Sequence, residues 1–247
     1  LVLQTVLPAL LAADGDSYLV LEGGTHNPLA PPFDFLEKTF LPLLARMGGK
    51  VTARLQRYGF YPAGGGKLIV EISGSSLSPL FLTERPEPVR YEAECLYANL
   101  PAAIAKREAA AVMRRLGIGA QCVKTVRVDS PGPGNAVLVS VIMGEGEKQL
   151  VEVFTSFGEK GTSSEAVAET AADQAKQFAA ASAAIGPYAA DQILLPLALA
   201  GEGEFTTTAP TLHTKTNVQV IETFLPVTFS FGEENNITTI TCRRKQS

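Results

Sequence analysis

A duplication constrains this chain more than any other feature. The run Gln4-Thr5-Val6-Leu7-Pro8-Ala9-Leu10 lines up with Gln192-Ile193-Leu194-Leu195-Pro196-Leu197-Ala198, and each is followed downstream by the same tripeptide, Phe40-Leu41-Pro42 and Phe224-Leu225-Pro226. Recurrence of this kind marks one supersecondary unit built twice, so the two ends of the chain are expected to share a topology.

In the first copy, Leu1 to Ala13 reads as a largely apolar helix stopped by Asp14-Gly15-Asp16, and Tyr18 to Leu21 as a short strand. Gly23 to Pro32 is a loop, and Asp34 is placed to cap a helix running through Phe35, Leu36, Phe40, Leu43 and Leu44 to Gly48-Gly49. Val51 to Tyr58 and Lys67 to Ile72 alternate as strands, with a tight turn predicted at Gly64-Gly65-Gly66. The second copy repeats the order: helix from Tyr188 to Ala200, strand from Phe205 to Thr208, helix from His213 to Phe224, then a hairpin of Val227 to Phe231 and Ile237 to Arg243. A parallel βαβ connection needs a strand before its first helix. The first copy is therefore expected to lack its opening strand, and a chain that begins at Leu1 within a helix, without a methionine or a cap, reads as a fragment.

Between the copies the character changes. After the Pro- and Glu-rich run Glu84-Arg85-Pro86-Glu87-Pro88, a plausible linker, the pattern is strand (Tyr91 to Leu96), helix (Ala102 to Leu116) and strand (Gln121 to Val128). Two more strands (Val137 to Met143, Leu150 to Phe154) and an Ala-rich helix (Ser164 to Ala181) follow. The expected organisation is an α/β (α+β) chain with residues 1–87 and 183–247 forming the repeat-built part and residues 88–182 inserted as a small domain.

Composition narrows the function classes. At 46% hydrophobic and 19% charged the 247 residues can bury a core, which excludes a disordered chain. The longest apolar runs, such as Ile193 to Ala200, are too short to span a bilayer. Cys95, Cys122 and Cys242 are scattered without metal-ligand spacing, which fits a reducing cytoplasm. A net charge of −4 argues against wrapping long nucleic acid but leaves room for a local grip on an RNA terminus. Imidazole chemistry has two candidates, His26 and His213.

Four stretches carry a resemblance. Gly23-Gly24-Thr25-His26-Asn27-Pro28-Leu29-Ala30-Pro31-Pro32-Phe33-Asp34-Phe35, Arg57-Tyr58-Gly59-Phe60-Tyr61-Pro62-Ala63-Gly64-Gly65-Gly66, Tyr188-Ala189-Ala190-Asp191-Gln192 and His213-Thr214-Lys215-Thr216-Asn217 resemble, in order, the motifs of RNA 3′-terminal phosphate cyclases. The resemblance implies a large domain of repeated βαβαββ units with a small thioredoxin-like domain inserted. It implies ATP as co-substrate, an RNA 3′ end as substrate, a divalent metal (Mg or Mn), and conversion of a 3′-phosphate to a 2′,3′-cyclic phosphate through histidyl-AMP and RNA-adenylate intermediates. The family's N-terminal portion, which contributes metal- and RNA-binding residues, has no match here, so the chain alone is expected to be poorly active.

The same resemblance assigns His213 as the nucleophile, a role that suits an imidazole at a helix start, where the dipole disfavours imidazolium and attracts phosphate. It assigns Gln4, Tyr188, Ala189, Ala190, Asp191 and Gln192 to nucleotide binding, with Pro32 as a second wall for adenine opposite Tyr188. Residues three and four apart share a helix face, so Tyr188, Asp191 and Gln192 can act together. The equivalence of Gln4 and Gln192 places their helices on two sides of one cleft. His26 is read as a polar loop residue at the cleft, Arg54 as a strand residue facing water with Arg57, and Arg243-Arg244-Lys245 as a solvated tail. The competing readings are a non-catalytic cyclase-like ribosome-assembly protein, which would lack the nucleophilic histidine, and an enolpyruvyl transferase, which shares the repeated architecture but not these motifs.

Overall fold

The computed structural model describes residues 1–245. The first copy starts with α1 (Val2–Ala12), whose Leu3, Leu7 and Leu11 are buried at four-residue spacing, and passes through β1 (Asp16–Gly23). Next come α2 (Phe33–Phe35), a π-helical turn over Leu36–Phe40 and α3 (Leu41–Arg46), then β2 (Lys50–Arg57) and β3 (Gly66–Ser73). The three strands form an antiparallel sheet of order β1-β3-β2. Their side chains alternate in and out of the core with the period of two that a half-buried sheet imposes. Thr52 and Arg54 face solvent, as the alternation predicts.

The intervening region contributes β4 (Leu80–Leu82), β5 (Val89–Ala98), α4 (Ala102–Leu116), β6 (Val123–Arg127), β7 (Gly134–Met143), β8 (Leu150–Phe157) and α5 (Ser164–Ala180). Strands β5 to β8 make a sheet of order β6-β5-β7-β8, antiparallel except for the β5/β6 pair. Helices α4 and α5 pack on one face, and the edge strand β8 meets α2 and the π-helical turn. Strand β7 is buried almost throughout, because both faces of the sheet are covered. Ser163 caps α5 by accepting from the Ala166 N–H (3.2 Å), and α4 stops at Gly117 in the left-handed region (φ +67°).

The second copy consists of α6 (Pro187–Ala200), β9 (Glu202–Thr207), α7 (Leu212–Phe224), β10 (Val227–Glu234) and β11 (Ile237–Arg244). Its sheet has the order β10-β11-β9-β4, with β4 parallel to β9. The three-residue β4 was absent from the sequence reading, being too short to show a period. It is the strand that precedes the first helix in the second copy, and the insertion lies between it and α6.

Three local expectations are corrected. Asp34 does not cap a helix: the N-cap position belongs to Pro32, and the Asp34 carboxylate is buried against His26. The run from Glu84 to Pro88 is anchored, since Arg85 Nη1 donates to the carbonyls of Ala179 (2.8 Å) and Ala181 where α5 ends. Arg243 and Arg244 belong to β11 rather than to a tail, with Arg243 paired to Glu202 of β9. The glycine turn is also more than a local bend. A β-carbon on Gly59 would lie 2.4 Å from the Gly66 nitrogen and 2.5 Å from the Gly23 carbonyl oxygen, so three backbone segments touch where the His26 loop begins.

Candidate active site

Both repeat helices carry a glutamine followed four residues later by proline. Pro8 and Pro196 have no N–H to give, which frees the main-chain carbonyls of Gln4 and Gln192 from the helical ladder. The two glutamines meet: Gln4 Nε2 donates to Gln192 Oε1, so the equivalent positions of the duplicated helices face each other. From there a chain of hydrogen bonds runs along α6, with Gln192 Nε2 donating to Asp191 Oδ2 (3.2 Å). It ends on α7, where Asn217 Nδ2 donates to Asp191 Oδ1 (3.3 Å). Gln4 Oε1 is buried and finds no hydrogen-bond partner among the described residues, which leaves an acceptor for a donor from outside the protein.

His213 stands on α7 one turn before Asn217, on the same side of the helix. It is the second helical residue and is exposed. Thr211 caps the helix, its Oγ1 accepting from the Thr214 N–H (3.1 Å) and its carbonyl from Lys215 (3.2 Å). The amides of Leu212 and His213 therefore remain among the unbonded N–H groups that make a helix N-terminus attractive to phosphate oxygens. No hydrogen bond holds the His213 ring among the described residues.

Tyr188 lies one turn before Gln192 and is 48% exposed. Its ring packs against Phe154 of β8 (centroids 6.3 Å apart), and the two line a cavity of about 250 Å³ with Gln174, Phe178, Thr208 and Ala209. Ala189 and Ala190 turn their methyl groups into the core, so contact with a ligand is left to their main chain. The Ala190 N–H is already spent on the Gly186 carbonyl (2.9 Å). Pro32 is not an open wall opposite Tyr188. It is buried, and its carbonyl accepts from Leu36 at the start of α2 (3.3 Å). The aromatic neighbour that Tyr188 does have, Phe154, and the link from Asp191 to α7, Asn217, escaped the sequence reading. Asn217 carried a signal in its four-residue spacing from His213; Phe154 lay in an ordinary strand pattern.

His26 departs furthest from expectation. It is 0% exposed, with Nε2 2.8 Å from Asp34 Oδ2 and Nδ1 2.9 Å from Thr25 Oγ1. Its ring lies against Tyr58 (4.9 Å) and Phe60 (5.5 Å). Thr25 Oγ1 also accepts from the Gly59 N–H (2.9 Å), tying this network to the glycine contact. It is a rivet within the fold rather than a cleft residue. Among the described residues, no group of three or more His, Cys, Asp or Glu side chains could hold a metal ion, so the residues present do not form a protein cage for Mg or Mn.

Comparison with known proteins agrees with the ordered motifs. The family model described as RNA 3′-terminal phosphate cyclase matches residues 1–231. A protein of that name from Koribacter versatilis is 48% identical over 96% of this chain. One from Ectopseudomonas mendocina is 48% identical over 92%, and one from Salmonella agona 44% identical over 100%. The chain spans 66% of the length of the first two relatives and 71% of the third. With the family model matching residues 1–231 and relatives 44–48% identical over nearly the whole chain, this chain belongs to the RNA 3′-terminal phosphate cyclase family.

Proposed function

We propose that this protein acts as an ATP-dependent RNA 3′-terminal phosphate cyclase with His213 as its nucleophile. The observation that carries the reading is an exposed imidazole at the amino end of α7, unbonded among the described residues and one turn from Asn217, which is bonded to Asp191 of α6. The nucleotide fits the donors and acceptors present. Tyr188, backed by the buried Phe154, offers aromatic surface to adenine. The Asp191 carboxylate can accept from ribose hydroxyls, and the unpartnered Gln4 Oε1 from a further donor.

In this reading the lone pair of a His213 ring nitrogen forms a bond to the α-phosphorus of ATP as the bond to pyrophosphate breaks. A 3′-phosphate oxygen of the RNA then attacks the same phosphorus and the N–P bond breaks, which regenerates the imidazole. The neighbouring 2′-hydroxyl attacks the activated 3′-phosphorus, loses its proton and expels AMP. Activation is needed because a dianionic phosphate monoester is a poor electrophile with a poor leaving group. Holding the 2′-hydroxyl beside its target then supplies high effective molarity. The ring attacks through a nitrogen lone pair, and the helix N-terminus beside it attracts phosphate oxygens. A reducing cytoplasm suits the free thiols of Cys95, Cys122 and Cys242.

Incubation with α-labelled ATP is expected to leave label on the protein that is labile in acid and stable in alkali, as a phosphoramidate is. His213→Ala is expected to abolish it. Undiminished label in that variant would remove His213 from the mechanism.

A further inference from the structure

The segment that leads into α6 is buried from Ala183 to Gly186, and the N–H groups of its last three residues find partners. Two partners come from the repeat-built part: Ala184 donates to Thr206 Oγ1 (3.1 Å) and Ile185 to the Thr206 carbonyl (3.0 Å), both on β9. The third comes from the inserted sheet. Gly186, the N-cap residue of α6, donates to Glu152 Oε1 on the edge strand β8 (2.8 Å). Glu152 is 3% exposed. Contact is close on both sides, since a β-carbon on Gly186 would stand 2.6 Å from Glu152 Oε2. Two residues further along β8, Phe154 supports the ring of Tyr188.

We propose that Glu152 is a positioning residue for the nucleotide site: through the Gly186 N–H it sets where α6 begins, and so where Tyr188, Asp191 and Gln192 stand. The proposal rests on the reading of α6 as the ATP-binding helix. It gives the inserted region a task, because β8 then fixes both the first residue of that helix and the aromatic ring under Tyr188. A carboxyl is an expensive group to bury, and an apolar side chain would pack at lower cost. Burial pushes the Glu152 pKa up to about 8, with the Gly186 hydrogen bond pulling the other way. What the position gains in return is an acceptor for an N–H that would otherwise be buried without one.

Two measurements on the full chain test this: ATP affinity by calorimetry, and amide exchange across residues 187–192. Glu152→Gln keeps an acceptor oxygen and is expected to bind ATP within about twofold of the wild type. Glu152→Leu removes it and is expected to weaken ATP binding about tenfold. Exchange at the start of α6 should then accelerate while α5 and β7 remain protected. Gly186→Ala, which crowds the carboxyl from the opposite side, should repeat the loss and serves if the leucine variant does not fold. ATP binding by the wild type, with affinity and exchange unaltered in the leucine and alanine variants, would overturn the proposal alone. Loss in the glutamine variant as large as in the leucine variant would also overturn it. Failure of the wild type to bind ATP would remove the nucleotide reading and this proposal together.

Discussion

The two copies of the repeat share a topology and differ in what they do with one connection. In each copy a strand leads through a loop to a second helix, and a histidine lies in that passage: His26 between β1 and α2, His213 at the start of α7 after β9. The first is buried with both ring nitrogens engaged; the second is exposed with neither held among the described residues. Neighbours explain the divergence. Tyr58 and Phe60 close over His26 from the β2–β3 connection, and Asp34 reaches it from α2. In the second copy Thr211 satisfies the helix start, leaving the imidazole free. The aligned first helices diverge in the same way: where α6 carries Asp191 beside Gln192, α1 carries Leu3 beside Gln4, buried in the core. One copy buries its histidine in the scaffold, and the other leaves its histidine open for the chemistry proposed above.

The contrast is sharpest in stability. His26→Ala leaves the Asp34 carboxyl buried without its partner and is expected to cost about 3 kcal/mol in denaturant unfolding. His213→Ala, on the surface, is expected to change stability by less than about 0.5 kcal/mol. Equal costs would erase the distinction between rivet and reagent.

The same division between buried and exposed groups governs pH. Glu108 on α4 is buried, one oxygen bonded by Asn135 and the other without a partner, and burial raises its pKa from 4.5 to about 7. Across that window the unfolded chain loses a proton that the folded chain keeps, so stability falls as pH rises and levels off above it. Glu108→Gln should remove about 2 kcal/mol of this loss between pH 5 and pH 8. Glu165, exposed and paired with Arg107 on the facing helix, gives no such effect on replacement. An unchanged slope in the Glu108 variant would contradict the assignment.

Smaller effects separate the copies further. Tyr188→Ala is expected to weaken ATP binding about tenfold, whereas Tyr18→Ala on the open face of β1 should leave it unchanged. Thr211→Ala removes the only side-chain cap seen among the described residues of the two repeat copies and should cost about 1 kcal/mol by thermal unfolding.

How much of this could be read from the sequence follows from the range of the interactions. The duplication, the helix carrying His213 and the element order apart from β4 rest on local pattern, and the structure follows it. β4 was hidden because three residues cannot display a period; only its pairing with β9 makes it a strand. The burial of His26 depends on Tyr58 and Phe60, more than thirty positions away, and Pro32 is buried as well. Local polarity suggested a surface loop for His26 and the resemblance an open wall at Pro32, and tertiary contact decided otherwise. Phe154 and Glu152 belong to the inserted region, so no motif within the repeats could point to them.

The central claim is that the imidazole of the second copy, and not that of the first, becomes bonded to AMP. Peptide-mapping mass spectrometry of the protein after incubation with ATP tests it most directly. The account predicts an AMP adduct on the peptide that contains His213. An adduct on the peptide that contains His26, or on a lysine, would contradict it.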